Sequence, residues 1–267
     1  MKRRMILWLV AGILHFNLTS ASRPALCQDS GKPAPARTAD FHLFPPSTPP
    51  AAQQQHSAVR RFLDDIWKDQ KAIWTSPARM NRRQFFTLVL PLAVATAGLI
   101  ATDEDTGKFL ANTPGQIKWS QRFSNFGAVY TLGILTGGML VGGKVLGKPH
   151  YSRIGRNSAE ALVNGVVTSY ALKKITGRER PNQFDGQGRF WKGSESFPSG
   201  HAMNSWAVAL AVARTPQCPR WLAITSYVMA TGISLSRWTA HEHFPSDVLV
   251  GSVLGGLIGN YIATRPR

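Results

Sequence analysis

Hydrophobic residues recur along most of the chain with the spacing of helices rather than strands. The longest uncharged run, Phe85 to Ala101, has 17 residues, which is near the minimum for a membrane-spanning helix. Weaker apolar segments follow it, near residues 124–143, 158–172, 201–213, 221–235 and 246–263. Because none of these segments alternates apolar and polar residues, the pattern predicts an all-α fold with six core helices.

An amphipathic helix is predicted ahead of that core, and we assign residues 58–84 to this segment. Apolar residues recur at helical spacing between residues 59 and 74, with charged residues on the opposite face. We expect the helix to end near Pro77. Trp67 and Trp74 lie seven residues apart and therefore on one side. The pattern fits a helix in a membrane interface, and equally one packed on the core.

The first 57 residues are predicted to lie outside the folded core. Three basic residues at positions 2–4 precede an apolar run from Met5 to Leu14. This order is typical of a secretory signal, so we expect residues 1–27 to be a signal peptide or an N-terminal hydrophobic anchor. Residues 28–57 are rich in Pro, Ala, Gln and Ser. With few apolar side chains to bury, they are predicted to form a disordered linker.

Two predicted core helices carry glycines four residues apart. In one helix they are Gly133 with Gly137 and Gly138 with Gly142, and in the other they are Gly251, Gly255 and Gly259. Such spacing lets helix backbones approach closely, as in membrane bundles. A soluble bundle can use the same spacing.

Amino-acid composition limits the kinds of molecule that the protein is expected to bind. The 267 residues include 31 Lys and Arg against 14 Asp and Glu, a net charge of +17. Such an excess suggests nucleic acid, anionic lipid or a phosphorylated substrate. The basic residues are scattered over loop ends without a nucleic-acid-binding motif, so we expect no nucleic-acid partner. Cys27 and Cys218 are the only cysteines, which excludes a disulfide scaffold and a zinc-finger array.

The charges divide the connections between the predicted helices into two sets. Basic residues dominate near 79–83, 144–156 and 214–220, whereas 102–122, 177–200 and 236–246 also contain acidic residues. The positive-inside rule places the first set in the cytoplasm. A cleaved signal peptide would invert that arrangement, so the number of membrane crossings stays open.

Two polar clusters in the second set can bind phosphate. Lys173 and Arg180 lie near a predicted helix end, and ammonium and guanidinium groups bind phosphate oxygens. Ser199, Gly200 and His201 open an apolar helix, whose first backbone N–H groups can bind an anion. Each pattern alone also fits an ordinary helix end or start.

The third cluster contains Arg237, His243 and Asp247. A carboxylate in the first turn of a helix can accept the proton on one imidazole nitrogen and leave the other nitrogen basic. That arrangement suits a histidine nucleophile. His241, Glu242 and His243 lack the spacing of a helical His-Glu-x-x-His zinc site, so we expect no metal.

Together the clusters resemble the three-part signature of the type 2 phosphatidic acid phosphatase superfamily. In order, the three motifs are Lys-x6-Arg-Pro, Pro-Ser-Gly-His and Ser-Arg-x5-His-x3-Asp. The chain has the required residue at every specified position, namely Lys173, Arg180, Pro181, Pro198, Ser199, Gly200, His201, Ser236, Arg237, His243 and Asp247. The resemblance covers about residues 85–263. It implies a six-helix phosphatase core, which we assign to residues 85–267 and expect to be embedded in a membrane.

The resemblance also implies a role for each site residue. His243 would attack phosphorus and form a phosphohistidine, while Asp247 orients its ring. His201 would protonate the leaving oxygen and then activate water. The phosphate oxygens would be held by Lys173, Arg180, Ser199, Gly200 and Arg237. No metal, no other cofactor and no obligatory protein partner is implied.

The sequence therefore predicts a metal-independent phosphatase of a bacterial-type cell envelope. We expect it in the inner membrane with its active site facing the periplasm, acting on a phosphomonoester or pyrophosphate of a membrane lipid. The alternatives are a soluble periplasmic acid phosphatase with broad substrates, a vanadium-dependent haloperoxidase, for which the chain is short, and a non-catalytic phospholipid-binding membrane protein. The sequence does not identify the phosphorylated substrate.

Overall fold

The computed structural model describes residues 51–108, 110, 112–183 and 186–266, with the backbone alone for residues 51–58, 107 and 108. The predicted signal segment at 1–27 and the linker up to residue 50 lie outside the described residues. The helices are α1 (Ala51–Thr75), α2 (Arg82–Ile100), α3 (Asp103–Lys108), α4 (Pro114–Ser124), α5 (Val129–Val145), α6 (Pro149–Thr176), α7 (Gly200–Arg214), α8 (Arg220–Thr239) and α9 (Pro245–Thr264). Among the described residues there is no strand, and the all-α prediction is confirmed.

Helix α1 starts earlier than the sequence pattern indicates. It begins at Ala51, inside the stretch assigned to the linker, and it ends at Thr75, close to the predicted end near Pro77. The sequence from Ala51 contains Ala and Gln, which are good helix formers, so local propensity extends the helix beyond its amphipathic part.

Helix α1 contacts the bundle through polar side chains and through Ile73, and it carries an exposed apolar stripe. The amide of Gln70 donates to Asn164 Oδ1 of α6 at 2.8 Å, and Arg156 of α6 pairs with Asp65 at 2.9 Å. The outward stripe consists of Val59, Leu63, Trp67 and Trp74, which are 44–74% exposed. The helix is thus attached to the bundle on one side and offers an apolar surface on the other.

The core of the bundle is built around α7, which packs against α6, α8 and α9, while α5 packs against α6. Its central cluster of buried side chains is small in volume and consists of Ala161, Met203, Ala207, Ala211, Ile258 and Ile262. Small side chains let the helix axes approach closely, so side-chain burial here depends on close backbone contact.

Glycines on α9 make that close contact with α7. A Cβ added at Gly251 would lie 2.6 Å from the carbonyl oxygen of Ser199. Additions at Gly255 and Gly259 would overlap the carbonyl oxygens of Met203 and Ala207, respectively. The predicted close approach is therefore confirmed for this helix.

The glycine prediction is wrong for α5. Among the described residues, no atom lies within 4 Å of a Cβ placed at Gly133, Gly137, Gly138 or Gly142. The contact between α5 and α6 instead uses Gly143, which abuts the backbone of Ser152, and Gly155, which abuts the backbone of Leu140. The error arises because the four-residue spacing identifies a small-residue face but not the helix against which it packs.

Three helical segments are long and apolar enough to cross a membrane, judged by length and composition. They are Arg82–Ile100, Pro114–Val145, which joins α4 to α5, and Pro245–Thr264. No residue of Arg82–Ile100 is buried among the described residues. An apolar helix whose side chains are exposed or only partly covered by protein fits contact with lipid.

Successive helices of the bundle run in opposite directions, so their ends gather at two poles. One pole contains the last turns of α6 and α8 and the first turns of α7 and α9. At the other pole, just beyond α9, Arg265 pairs with Glu160 of α6 at 2.8 Å and with Asp69 of α1. The three predicted chemical clusters all belong to the first pole.

Candidate active site

The first pole brings the three predicted clusters together. Lys173 lies in the last turn of α6, Gly200 and His201 begin α7, Arg237 lies in the last turn of α8, and His243 and Asp247 flank the start of α9. A Cβ added at Gly200 would lie 3.9 Å from Lys173 Nζ. The backbone N–H of Ser199 donates to the Asp247 carbonyl oxygen at 3.0 Å, which joins the second cluster to the third.

His243 and Asp247 form a buried pair. Nδ1 of His243 lies 3.5 Å from Oδ2 of Asp247, close enough for a charge interaction but longer than an ordinary hydrogen bond. The same oxygen accepts hydrogen bonds from the Ser196 hydroxyl at 2.5 Å and from the Phe244 N–H at 3.0 Å. Burial lowers the pKa of His243 to about 4 although Asp247 opposes the shift. The imidazole is therefore neutral at pH 7, the state in which a ring nitrogen can act as a nucleophile.

A buried arginine that the sequence analysis did not single out holds Asp247 from the other side. Nη1 of Arg178 donates to Asp247 Oδ1 at 2.6 Å, and Nη2 donates to Asp103 Oδ2 at 2.8 Å. The guanidinium lies 4.8 Å from the ring centroid of Phe190 and 4.5 Å from that of Phe244. Arg178 is 1% exposed. Two carboxylates and two aromatic faces therefore take the place of the water that would solvate an exposed guanidinium.

Asp103 connects the segment after α2 to the start of α9. Its carboxylate accepts hydrogen bonds from both the backbone N–H and the hydroxyl of Ser246. Burial raises the pKa of Asp103, while Ser246 and Arg178 act in the opposite direction. In the sequence Asp103 is one of three consecutive acidic residues after an apolar run. Nothing in that pattern indicates which of the three reaches the site.

The two predicted phosphate-binding arginines converge on one carboxylate. Nη1 of Arg180 lies 2.7 Å from Glu242 Oε2, and Nη2 of Arg237 lies 3.4 Å from the same oxygen. Glu242 precedes the predicted nucleophile in the chain and was not among the predicted site residues. The arrangement shows that both guanidinium groups can contact one anionic oxygen.

Buried donors of this pole remain open for a ligand. Among the described residues, neither Ser199 Oγ nor Arg237 Nε has a hydrogen-bond partner. Nη1 of Arg237 is held by the Ser124 hydroxyl at 3.0 Å, so its orientation is fixed. Buried polar groups are normally satisfied, and an anion with several oxygens would satisfy these two.

Burial, together with the same cations, lowers the pKa values of Lys173 and His201. Burial lowers the pKa of Lys173 to about 8, with further lowering from Arg180 and Arg237. Burial lowers the pKa of His201 to about 3, and Arg237, His243, Lys173 and Arg180 lower it further. An anion bound among these groups would offset their mutual repulsion. Within the described part of the chain, no three His, Cys, Asp or Glu side chains are grouped as metal ligands.

Comparison with known protein families finds a similarity over part of the chain. Residues 157–266, less than half of the chain, match the model of the PAP2 superfamily. The matched range contains all eight predicted site residues, from Lys173 to Asp247, but neither Asp103 nor Ser124. The matched range is therefore also contacted by the helices that precede it, through Asp103 to Arg178 and through Ser124 to Arg237.

Proteins similar in sequence to this chain are named as phosphatases. The chain is 34% identical over 104 residues to a lipid A 1-phosphatase from Porphyromonas gingivalis, a match that covers 37% of this chain and 20% of the relative. It is 27% identical over 172 residues to a decaprenylphosphoryl-5-phosphoribose phosphatase from Mycobacterium tuberculosis, covering 62% of this chain and 89% of that protein. The chain therefore spans about one fifth of the first relative and most of the second.

A solved structure with a partly similar arrangement is the transmembrane PAP2-type phosphatidylglycerolphosphate phosphatase from Bacillus subtilis. Its sequence is 22% identical, the TM-score is 0.49, and the match covers 65% of this chain and 92% of that one.

Proposed function

We propose that this chain is a metal-independent phosphatase of the PAP2 kind that hydrolyses a phosphomonoester or a pyrophosphate of a membrane lipid. The observation that carries the proposal is the pole described above, where two histidines, a carboxylate and three cationic side chains occur together. Three cations balance a phosphate dianion without a metal. Phosphoryl transfer depends mainly on positioning and charge stabilisation, which such a set of groups supplies.

In the first step, the free ring nitrogen of His243 attacks phosphorus in line with the leaving oxygen. The P–N bond forms while the P–O bond breaks, and the product is a phosphohistidine. Asp247 stabilises the positive charge that develops on the ring, and Arg178 keeps Asp247 in place. Lys173, Arg180 and Arg237 hold the non-bridging oxygens together with Ser199 and the Gly200 N–H.

His201 supplies the proton that the leaving oxygen needs. Its low pKa results from burial and from the surrounding cations, and a bound phosphate dianion opposes the effect of those cations. Substrate binding therefore raises the pKa of His201 in the complex. After the leaving group departs, the neutral His201 takes a proton from water, which attacks phosphorus and releases phosphate from His243.

The lipid nature of the substrate is supported by three apolar segments of membrane-spanning length and by the outward apolar stripe of α1. Two of the similar proteins act on phosphorylated lipids, lipid A and decaprenylphosphoryl-5-phosphoribose. We place the active site at the periplasmic surface of the inner membrane, because the basic connections lie at the opposite pole.

A phosphate-release panel tests this proposal. The purified full chain in detergent would be assayed with EDTA on phosphatidic acid, phosphatidylglycerol phosphate, undecaprenyl pyrophosphate and lipid A. We expect release from at least one lipid and a loss of at least about 1,000-fold in kcat for His243→Ala.

The matched control for that panel is His241→Asn. His241 lies two residues from His243 and has a φ of 56°, a conformation that Asn tolerates better than most residues. This variant should retain activity within about threefold. Full activity of His243→Ala, or complete loss of wild-type activity in EDTA, would contradict the mechanism.

A further inference from the structure

A cavity of about 810 Å³ lies at the pole opposite the catalytic groups. Its walls come from the start of α1, the end of α5, the start of α6 and the residue after α9; they include Val59, Phe62, Leu140, Lys144, Arg153 and Arg265. None of the eight predicted site residues lines it. The proposed phosphatase chemistry does not use this cavity.

The cavity is bordered by cations that differ in their pairing. Arg156 and Arg265 are fixed by carboxylates, since both bind Glu160 at 2.8 Å. Lys144 and Arg153 are exposed, and within the described residues no carboxylate pairs with either of them. A negatively charged ligand could therefore contact Lys144 and Arg153. Arg156 and Arg265 are held in position by Glu160.

The remaining walls are apolar. Val59, Phe62 and Leu140 line the cavity, and beside Leu140 the surface of α5 continues with Val141 and Val145, which are 59% and 78% exposed. A charged rim next to an apolar wall matches a molecule that has an anionic end and a hydrocarbon end.

The cavity also lies at the expected depth for a lipid headgroup. Lys144 is the penultimate residue of the candidate span Pro114–Val145, and Arg265 directly follows the candidate span Pro245–Thr264. The catalytic Asp247 lies at the other end of the second span. Because a helix of 20 residues is about 30 Å long, the cavity and the catalytic pole would lie at opposite surfaces of a bilayer.

We propose that this cavity binds the headgroup of an anionic phospholipid from the leaflet opposite the active site. The phosphodiester contacts Lys144 and Arg153, while the acyl chains lie along the exposed face of α5. The binding is not part of catalysis. It attaches α1 and the ends of α5 and α9 to the membrane surface and stabilises the bundle.

Thermal unfolding of the full chain in dodecyl maltoside micelles tests the proposal. Phosphatidylglycerol at tenfold excess over its Kd should raise the Tm by about 3–6 °C, whereas phosphatidylcholine should raise it by less than about 1 °C. Glycerophosphoglycerol, which has the same phosphodiester without acyl chains, should raise it by less than about 1 °C at the same concentration.

Two double variants distinguish lipid binding in this cavity from a general attraction of anionic lipid to positive charge. Lys144→Gln/Arg153→Gln should weaken phosphatidylglycerol binding at least tenfold, because charge-assisted contacts are lost. Arg79→Gln/Arg83→Gln removes the same charge from exposed positions around the start of the first candidate span and should bind the lipid within about twofold of wild type.

Three outcomes would overturn the proposal. These are an undiminished Tm shift in the cavity variant, an equal loss in both double variants, and an equal shift with phosphatidylcholine or with glycerophosphoglycerol. If the cavity variant fails to fold, Lys144→Gln alone provides the comparison, since Lys144 is exposed at the last turn of α5.

Discussion

At the scale of single residues, the site depends on how a few buried charges share their partners. Arg178 lies between Asp103 and Asp247, so one positive charge faces two carboxylates beside His243. In the proposed mechanism, the surplus negative charge stabilises the imidazole, which becomes positive when it bonds to phosphorus. Glu242 pairs with both Arg180 and Arg237. It therefore holds the two guanidinium groups in position when no phosphate is bound.

The lowered pKa of Lys173 predicts an alkaline limit to activity. Its pKa of about 8 means that the free enzyme loses this phosphate-binding charge as the pH rises through 8. The kcat/KM, which reports on the free enzyme, should therefore fall above pH 8 by up to about tenfold per unit. In Lys173→Arg the guanidinium stays charged, so the decline should move to higher pH. An unchanged alkaline limb in this variant would show that another group titrates there.

Removing the charge of Glu242 should favour phosphate binding. In Glu242→Gln the anionic side chain no longer competes with phosphate for Arg180 and Arg237. We expect the inhibition constant of inorganic phosphate to fall by about 3- to 10-fold, as expected for loss of a like charge at short range in a partly exposed site. Weaker inhibition by phosphate would instead indicate that Glu242 chiefly positions the arginines.

The sequence predicts some of these site residues and misses others, and the difference has a physical reason. His201, His243 and Asp247 stand at fixed positions of motifs, so the sequence itself predicts that they lie close together. Arg178 and Asp103 are 75 residues apart, and their pairing depends on how α2 ends relative to α9. Local patterns contain no information about that contact, which only tertiary packing creates.

At the scale of helices, the active site depends on the closeness of α7 and α9. Ser199 and Gly200 at the start of α7 bring the anion-binding turn beside Asp247 at the start of α9. The glycine face of α9 permits this approach. The sequence predicts this face correctly, but it misassigns the α5 glycines because spacing alone does not give the rotation of a helix toward its neighbour.

A methyl group on that face should destabilise the fold. In Gly255→Ala the added Cβ would overlap the carbonyl oxygen of Met203, a backbone atom that cannot move aside freely. Overpacking of this kind costs about 1–3 kcal/mol, so the Tm should fall by about 3–10 °C.

The control for that variant is Gly256→Ala. Its Cβ would meet only the side chain of Leu210 at 3.8 Å, an ordinary contact, and alanine favours the helix over glycine by about 1 kcal/mol. The Tm should stay the same or rise. Equal Tm values for the two variants would argue against close packing of α9 on α7.

At the scale of the whole molecule, the chain has two chemically different poles. The proposed catalytic groups gather at one pole, and the basic cavity with its ion pairs lies at the other. Three apolar segments of membrane-spanning length connect the poles. Under the two proposals, the positive charges of the chain, which has a net charge of +17, would bind phosphate at one pole and anionic headgroups at the other.

Membrane extraction tests this arrangement. Since Arg82–Ile100 has no buried residue among those described, its apolar side chains require lipid. The protein should remain in the membrane pellet after an alkaline carbonate wash and should be released only by detergent. Release by carbonate or by salt would favour the soluble periplasmic phosphatase.

The central claim is that His243 becomes covalently phosphorylated. The direct measurement is a rapid alkaline quench of the full chain during turnover of a ³²P-labelled lipid phosphate, followed by counting of the label bound to protein. We predict that wild type carries label that is stable in alkali and lost in acid, and that His243→Ala carries none. Label on His243→Ala, or rapid turnover by wild type without any labelled protein, would contradict the mechanism.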